Sequence, residues 1–122
     1  YSSVDHGPLS DITVSPLPYS GHVHYLTHHV RELGTLTLEE AIRKMSGMPA
    51  ARFDLRGRGL IRKGYFADLV VFDFDALSTE SNFDHPARYP DGISLVTVNG
   101  TIAVDQNGRT NMRTGRVLRR RS

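Results

Sequence analysis

Cysteine is absent from the 122 residues, so neither a disulfide framework nor a thiolate metal site can hold this chain together. Long apolar runs are also missing: crossing hydrocarbon takes roughly 20 apolar residues, and nothing here approaches that, which excludes a helical membrane span. The opening stretch has no basic n-region and no apolar h-region, so no secretion signal is expected, and because the first residue is Tyr1 the true start is expected upstream. Without disulfide chemistry or a leader, the expected location is the cytoplasm. Three catalytic signatures are lacking as well. Gly57-Arg58-Gly59 and Gly64 have no Gly-Lys-Ser/Thr ending, Ser2, Ser3 and Ser10 have no G-x-S-x-G elbow, and no histidine is followed by Glu in an H-E-x-x-H pattern.

What is present is one domain's length of soluble sequence with 39% apolar residues and a net charge of only +2. Charge falls in blocks. Arg52, Arg56, Arg58, Arg62 and Lys63 face the single acid Asp54. Asp68, Asp73, Asp75, Glu80, Asp84, Asp91 and Asp105 then face Arg88 alone, and Arg109, Arg113, Arg116, Arg119, Arg120 and Arg121 close the chain. A basic tail can meet phosphate backbones, but nothing presents side chains to bases or offers a stacking surface, so no nucleic-acid partner is expected. No membrane partner is expected either.

Residues 1–21 are rich in Ser, Pro and Gly, and Pro8, Pro16 and Pro18 each withhold a backbone donor, which predicts loop. From His22 to Leu33 the apolar residues Val23, Leu26, Val30 and Leu33 recur at helical spacing, with Gly34 placed to end the helix. Leu38, Ala41, Ile42 and Met45 predict a second helix. Thr37 and Glu40 supply its S/T-x-x-E capping box and Gly47 its C-terminal residue. Pro49 to Phe53 predict one further turn, with Phe53 and Leu55 anchoring it against a core.

Beyond Asp54 the period changes. Leu60 and Ile61 form a short extended piece between glycine turns, and Leu69-Val70-Val71-Phe72 is an unbroken apolar run, the pattern of a strand buried on both faces. An acidic loop fills Ala76 to Gly92. Leu95 to Val98 and Thr101 to Val104 flank Asn99-Gly100, the strongest short hairpin signal. Asn107-Gly108 marks another turn, and Val117 with Leu118 predicts a last short strand. Two helices cover about one face of such a sheet, whereas a strand buried on both faces needs two. The chain therefore reads as a fragment.

Histidine offers the most visible chemistry. His24 and His28 stand four apart, a spacing that lets two rings reach one divalent ion, but both point away from the apolar face, and no metal is expected to bind this chain. His22 and His29 flank that face as ordinary partly buried residues. Asp5 and Asp11 lie in the loop where a general base could be placed. The residues alone compose no complete active site.

The order of segments nevertheless resembles a family. Leu36-Thr37-Leu38-Glu39-Glu40-Ala41-Ile42-Arg43-Lys44-Met45, Pro49-Ala50, Gly59-Leu60-Ile61, Gly64, Ala67-Asp68-Leu69-Val70-Val71-Phe72-Asp73, Val98-Asn99-Gly100 and Gly115-Arg116-Val117-Leu118-Arg119-Arg120 are similar to the C-terminal portion of the amidohydrolase superfamily. Val30-Arg31-Glu32 and the closing Gly-Arg-Val-Leu-Arg-Arg resemble its N-acyl-D-amino-acid deacylase (D-aminoacylase) branch. The resemblance implies an α+β fragment: residues 1–53 as the last loop and helices of a metal-dependent (β/α)8 barrel, and 54–122 as the C-terminal share of a small β-sandwich. It implies that zinc in the intact enzyme polarises an amide carbonyl and lowers the pKa of bound water, with an aspartate carrying the proton to the leaving amine. Gly7-Pro8-Leu9 matches the loop after that aspartate, which places it just before Tyr1, with Asp5 as the alternative. Tyr19, His22 and His24 occupy the stretch where the family's substrate loop departs from its usual sequence, and are the candidates for substrate contact. The implied substrate is a small N-acyl amino acid, the implied partner the remainder of the same barrel and sandwich, and the fragment alone is expected to be inactive. Two other readings stay open: an amidohydrolase acting on a cyclic amide or an amine, and a free-standing interaction module with a basic tail.

Overall fold

Proline at a helix start loses nothing, because the first N–H groups of a helix have no intrahelical acceptor and the fixed φ suits the first turn. The computed structural model, which describes residues 15–119, uses Pro16 and Pro18 in this way: Pro16 is the N-cap of α1 (Leu17–Tyr25) and Pro18 sits in its first turn. The loop expected through residue 21 therefore ends earlier. The same two prolines that break an interior helix here begin one, and the rest of that expected loop lies outside the described residues.

The single helix expected from His22 to Leu33 changes its winding part-way. After α1 the chain continues as a π-helical segment, Leu26–Glu32, whose exit is marked by the Leu33 N–H donating to His28 O at 2.9 Å. Wider winding rotates the later apolar residues off the stripe that 3.6-residue spacing implies. Val23 and Leu26 are buried, while Leu33 is exposed. Gly34 takes φ +59 and Thr35 N–H reaches back to His29 O, so the helix does stop at the expected glycine.

The described residues form two compact units. In the first, residues 15–36 join Phe74–Gly92. Arg31 holds these pieces together: its guanidinium Nη1 donates to the carbonyls of Phe74, Asp75 and Leu77 at 3.1, 3.1 and 2.8 Å. Leu77 is fully buried beneath this clamp. The acidic loop closes on itself where Ser78 and Asp91 pair as an antiparallel bridge, and Gly92 (φ +88) leaves no room for a side chain, since a Cβ there would lie 2.8 Å from the Leu77 backbone.

The second unit contains Thr37–Asp73 and residues 93–119. α2 (Leu38–Met45) is capped by Thr37, whose hydroxyl accepts from Glu40 N–H at 3.2 Å. The reciprocal bond of the expected capping box is replaced: the Glu40 carboxylate accepts two bonds from Arg43, at 2.8 and 2.9 Å. Gly47 does not end α2. Ser46 is both its C-cap and the N-cap of α3 (Gly47–Arg52), a full six-residue helix where a single turn was expected. Ala41 and Ala50 are buried, but Phe53 is 65% exposed and anchors nothing among these residues.

The sheet is an antiparallel meander of β1 (Leu69–Phe72), β2 (Ile93–Val98), β3 (Thr101–Asp105) and β4 (Gly108–Arg109), in that order across the sheet. The Asn99-Gly100 turn between β2 and β3 has both central residues at positive φ, +51 and +81, as a two-residue hairpin of this hand requires. Leu69 pairs with Thr97 and Phe72 with Ile93, with one irregularity between Val71 and Phe72. One expectation for the strands is corrected. Val117 and Leu118 form no strand, and the last strand is β4, which comes directly after the Gln106-Asn107 turn. β1 lies at the edge of the sheet, and its Val70 and Val71 are 53% and 49% exposed, the missing cover expected of a fragment. The apolar run predicted a strand correctly, and the described residues supply no layer over it. Likewise Leu60 and Ile61 belong to an irregular connection, and Ile61 is 92% exposed.

Candidate functional site

The first candidate lies on the outer surface of the helical segment in the first unit. His24 and His28 are stacked, with ring centroids 5.3 Å apart and planes inclined by 7°, and His29 lies edge-on to His28 at 5.2 Å. His28 Nδ1 is 2.9 Å from Glu32 Oε2. Hydrogen bonding to His28 holds the Glu32 carboxyl below its ordinary pKa, against the opposing effect of desolvation. Two parallel rings with one of them already engaged by a carboxylate do not converge on a point between them. Among the described residues no group of three His, Asp or Glu side chains could hold a metal ion.

Tyr19 and His22 stand on α1 with different surroundings. His22 is exposed, in contrast to the partly buried position expected. His24 is exposed too. Tyr19 turns inward: its ring meets Tyr89 edge to face at 5.7 Å, and its hydroxyl is buried without a hydrogen-bond partner among the described residues. Asp5, the alternative catalytic acid, lies outside the described residues, as does Asp11. The structure therefore brings His24 and His28 together, and does not gather Tyr19, His22 and His24 around one point.

The densest polar cluster was not legible as a site. In the second unit, Arg58 forms an ion pair with Asp68, donates to Asn99 Oδ1 at 2.6 Å, and lies 4.2 Å above the Phe66 ring. Asp68 Oδ1 accepts the Asn99 backbone N–H at 2.8 Å, and the Asn99 amide donates to Thr114 O. Burial alone would push the Asp68 carboxyl up, but the Asn99 N–H and Arg58 together hold it below its ordinary value. Four sequence motifs thus meet here: the Gly57–Gly59 turn, the Ala-Asp start of β1, the Val-Asn-Gly hairpin and the start of the basic tail. The close approach of the first to α3 explains Gly59. It has φ +79, and a Cβ on it would lie 2.4 Å from that of Ala50, while Ser46 Oγ donates to its carbonyl at 3.0 Å. The recurrence of charged and glycine residues at motif positions was the available signal. Chemically, this cluster is a charge-compensated lock with no nucleophile and no free base.

Comparison with known proteins gives these motifs their context. The profile of the amidohydrolase family matches residues 6–104. The chain belongs to the amidohydrolase family. Within that family it is 46% identical over 95 residues to D-aminoacylase from Alcaligenes xylosoxydans xylosoxydans, a match covering 78% of this chain and 20% of the relative. A crystal structure of D-aminoacylase superposes with a TM-score of 0.78 at 41% identity, covering 81% of this chain and 21% of that one. N-acyl-D-glutamate deacylase from Bordetella bronchiseptica, solved with zinc and a phosphonate mimic of the tetrahedral intermediate, superposes at 0.73 with 37% identity, covering 80% of this chain and 20% of that one. The chain thus spans about a fifth of the length of the amidohydrolases it matches.

Proposed function

We propose that the polypeptide to which this chain belongs hydrolyses N-acyl-D-amino acids to a carboxylate and a free D-amino acid. The observation that carries the reading is the 46% identity to D-aminoacylase, supported by the likeness to N-acyl-D-glutamate deacylase. The amide bond of such a substrate is linear and lies outside a peptide, which separates this reading from a cyclic-amide hydrolase.

In this reading residues 1–53 complete the barrel domain and 54–122 supply the C-terminal share of the sandwich. The exposed Val70 and Val71 of β1 are then covered by strands from elsewhere in the polypeptide. Zinc belongs to the intact enzyme. The described residues do not fit it, since they offer no three-ligand group, and its ligands are assigned to the rest of the barrel, the catalytic aspartate to the position just before Tyr1 or to Asp5. What this chain contributes is shape: the Arg31 clamp fixes one loop and the Arg58–Asp68–Asn99 lock fixes the sheet. We place the enzyme in the cytoplasm; no helix among the described residues is long and apolar enough to cross a membrane.

The test is to express the full-length polypeptide, load it with zinc, and measure amine release from N-acetyl-D-leucine and N-acetyl-D-glutamate. Turnover of at least one is expected, and inertness toward both alongside hydrolysis of a cyclic amide would overturn the assignment.

A further inference from the structure

The second unit contains a cavity of about 360 Å³ between the Asp54–Arg58 turn and the Arg116–Arg119 segment. Its charge is unbalanced in a specific way. Of the four guanidinium groups lining it, Arg56 is paired with Asp54 at 3.4 Å and Arg58 with Asp68. Arg116 and Arg119 line the same cavity and have no ion pair with any described carboxylate. Residues 106–122 contain no Asp or Glu, so this segment brings no compensating charge of its own. The remaining walls are apolar, from Leu55, Phe66, Val117 and Leu118.

We propose that this cavity is a binding site for a small organic phosphate, a dianionic head on an apolar body. Two guanidiniums with no carboxylate partner among the described residues match two negative charges, and the planar fork of arginine suits phosphate oxygens better than a point charge does. The volume falls in the range of small-ligand sites, roughly 300–1,000 Å³, and exceeds what a bare anion fills, so the apolar walls are available to an organic substituent. Arg58 is held rigid by Asp68, Asn99 and the Phe66 ring, which fixes one wall while Arg116 and Arg119 reach the ligand. The site lies wholly within one unit and does not depend on the deacylase reading.

The experiment titrates phenyl phosphate, inorganic phosphate and benzoate into the zinc-loaded full-length protein by calorimetry, beside the Arg116→Gln/Arg119→Gln variant. Both arginines are exposed among the described residues, and the melting temperature of the variant is measured beside that of the wild type. Binding of phosphate at the metal centre is common to both proteins and cancels in the comparison. The expected result is phenyl phosphate bound more tightly than inorganic phosphate or benzoate by the wild type, with affinity falling at least about tenfold in the variant, as loss of charge-assisted hydrogen bonds implies. Equal affinity in the two proteins, no phenyl phosphate binding, or benzoate binding as tightly as phenyl phosphate would overturn the proposal.

Discussion

Replacing Asp68 by Asn should loosen the sheet where β1 meets the hairpin. Arg58 is 12% exposed and Asp68 31%, so their pair lies between two known limits. Exposed pairs contribute roughly 0–1 kcal/mol, and breaking a buried pair costs roughly 3–5 kcal/mol because one charge stays behind uncompensated. An intermediate cost of about 2 kcal/mol is expected for Asp68→Asn, whose side-chain oxygen can still accept the Asn99 N–H. Asp68→Ala also orphans that N–H and should cost about 1 kcal/mol more. Hydrogen exchange of the full-length protein reads this locally: protection of amides in residues 96–101 should fall about thirtyfold in Asp68→Asn, with amides of the first unit unchanged. A cycle with Arg58→Met should return a coupling above about 1 kcal/mol. The pH dependence has a definite sign. The folded pKa is lowered, so the contribution is complete above the unfolded value of about 4 and disappears as pH falls through the folded value. Wild-type protection should therefore drop across that acid window while Asp68→Asn loses less. Coupling below about 0.3 kcal/mol, or identical acid profiles, would refute the assigned role of this lock.

Other substitutions probe separate parts of the account. Gly59→Ala forces a Cβ to within 2.4 Å of Ala50 at φ +79 and should cost about 3 kcal/mol or abolish soluble expression, whereas Gly64→Ala, at φ +85 in open space, should cost only about 1–2 kcal/mol by urea denaturation. Thr37→Ala removes the α2 cap and should cost about 1 kcal/mol, visible as faster exchange at Glu40 N–H. Tyr19→Phe removes a buried hydroxyl with no partner and should leave the protein as stable or stabler by up to about 1 kcal/mol. If instead Tyr19→Phe raises KM for the D-substrate, the hydroxyl moves to the ligand during binding.

Local signals in the sequence were sufficient wherever one short segment decides its own conformation. Thr37 announces α2 through its side-chain acceptor, Asn99-Gly100 announces the hairpin through positive φ, and Leu69–Phe72 announces a strand through its apolar run. Segments with two local solutions were harder. Pro16 and Pro18 are compatible with loop or with a helix start, and the choice depends on whether the residues C-terminal to them can continue the helix. The spacing of Val23, Leu26, Val30 and Leu33 fits uniform α winding, and only the folded chain reveals the π segment that turns Leu33 outward. Phe53, Val117 and Leu118 suggested core or strand from hydrophobicity alone, yet all three are exposed among the described residues. Arg31 and Arg58 were invisible as organising residues because their acceptors lie up to 46 and 41 positions away. The site itself could be reached only through the resemblance, since the residues that do chemistry are assigned elsewhere in the polypeptide.

The central claim is that this chain completes an enzyme selective for D-configured N-acyl amino acids. Steady-state kcat/KM of the zinc-loaded full-length protein on matched pairs, N-acetyl-D-leucine against N-acetyl-L-leucine and likewise for methionine, tests it most directly. Hydrolysis of the D member with little or none of the L member is expected in each pair. Equal rates, or preference for the L member, would contradict it.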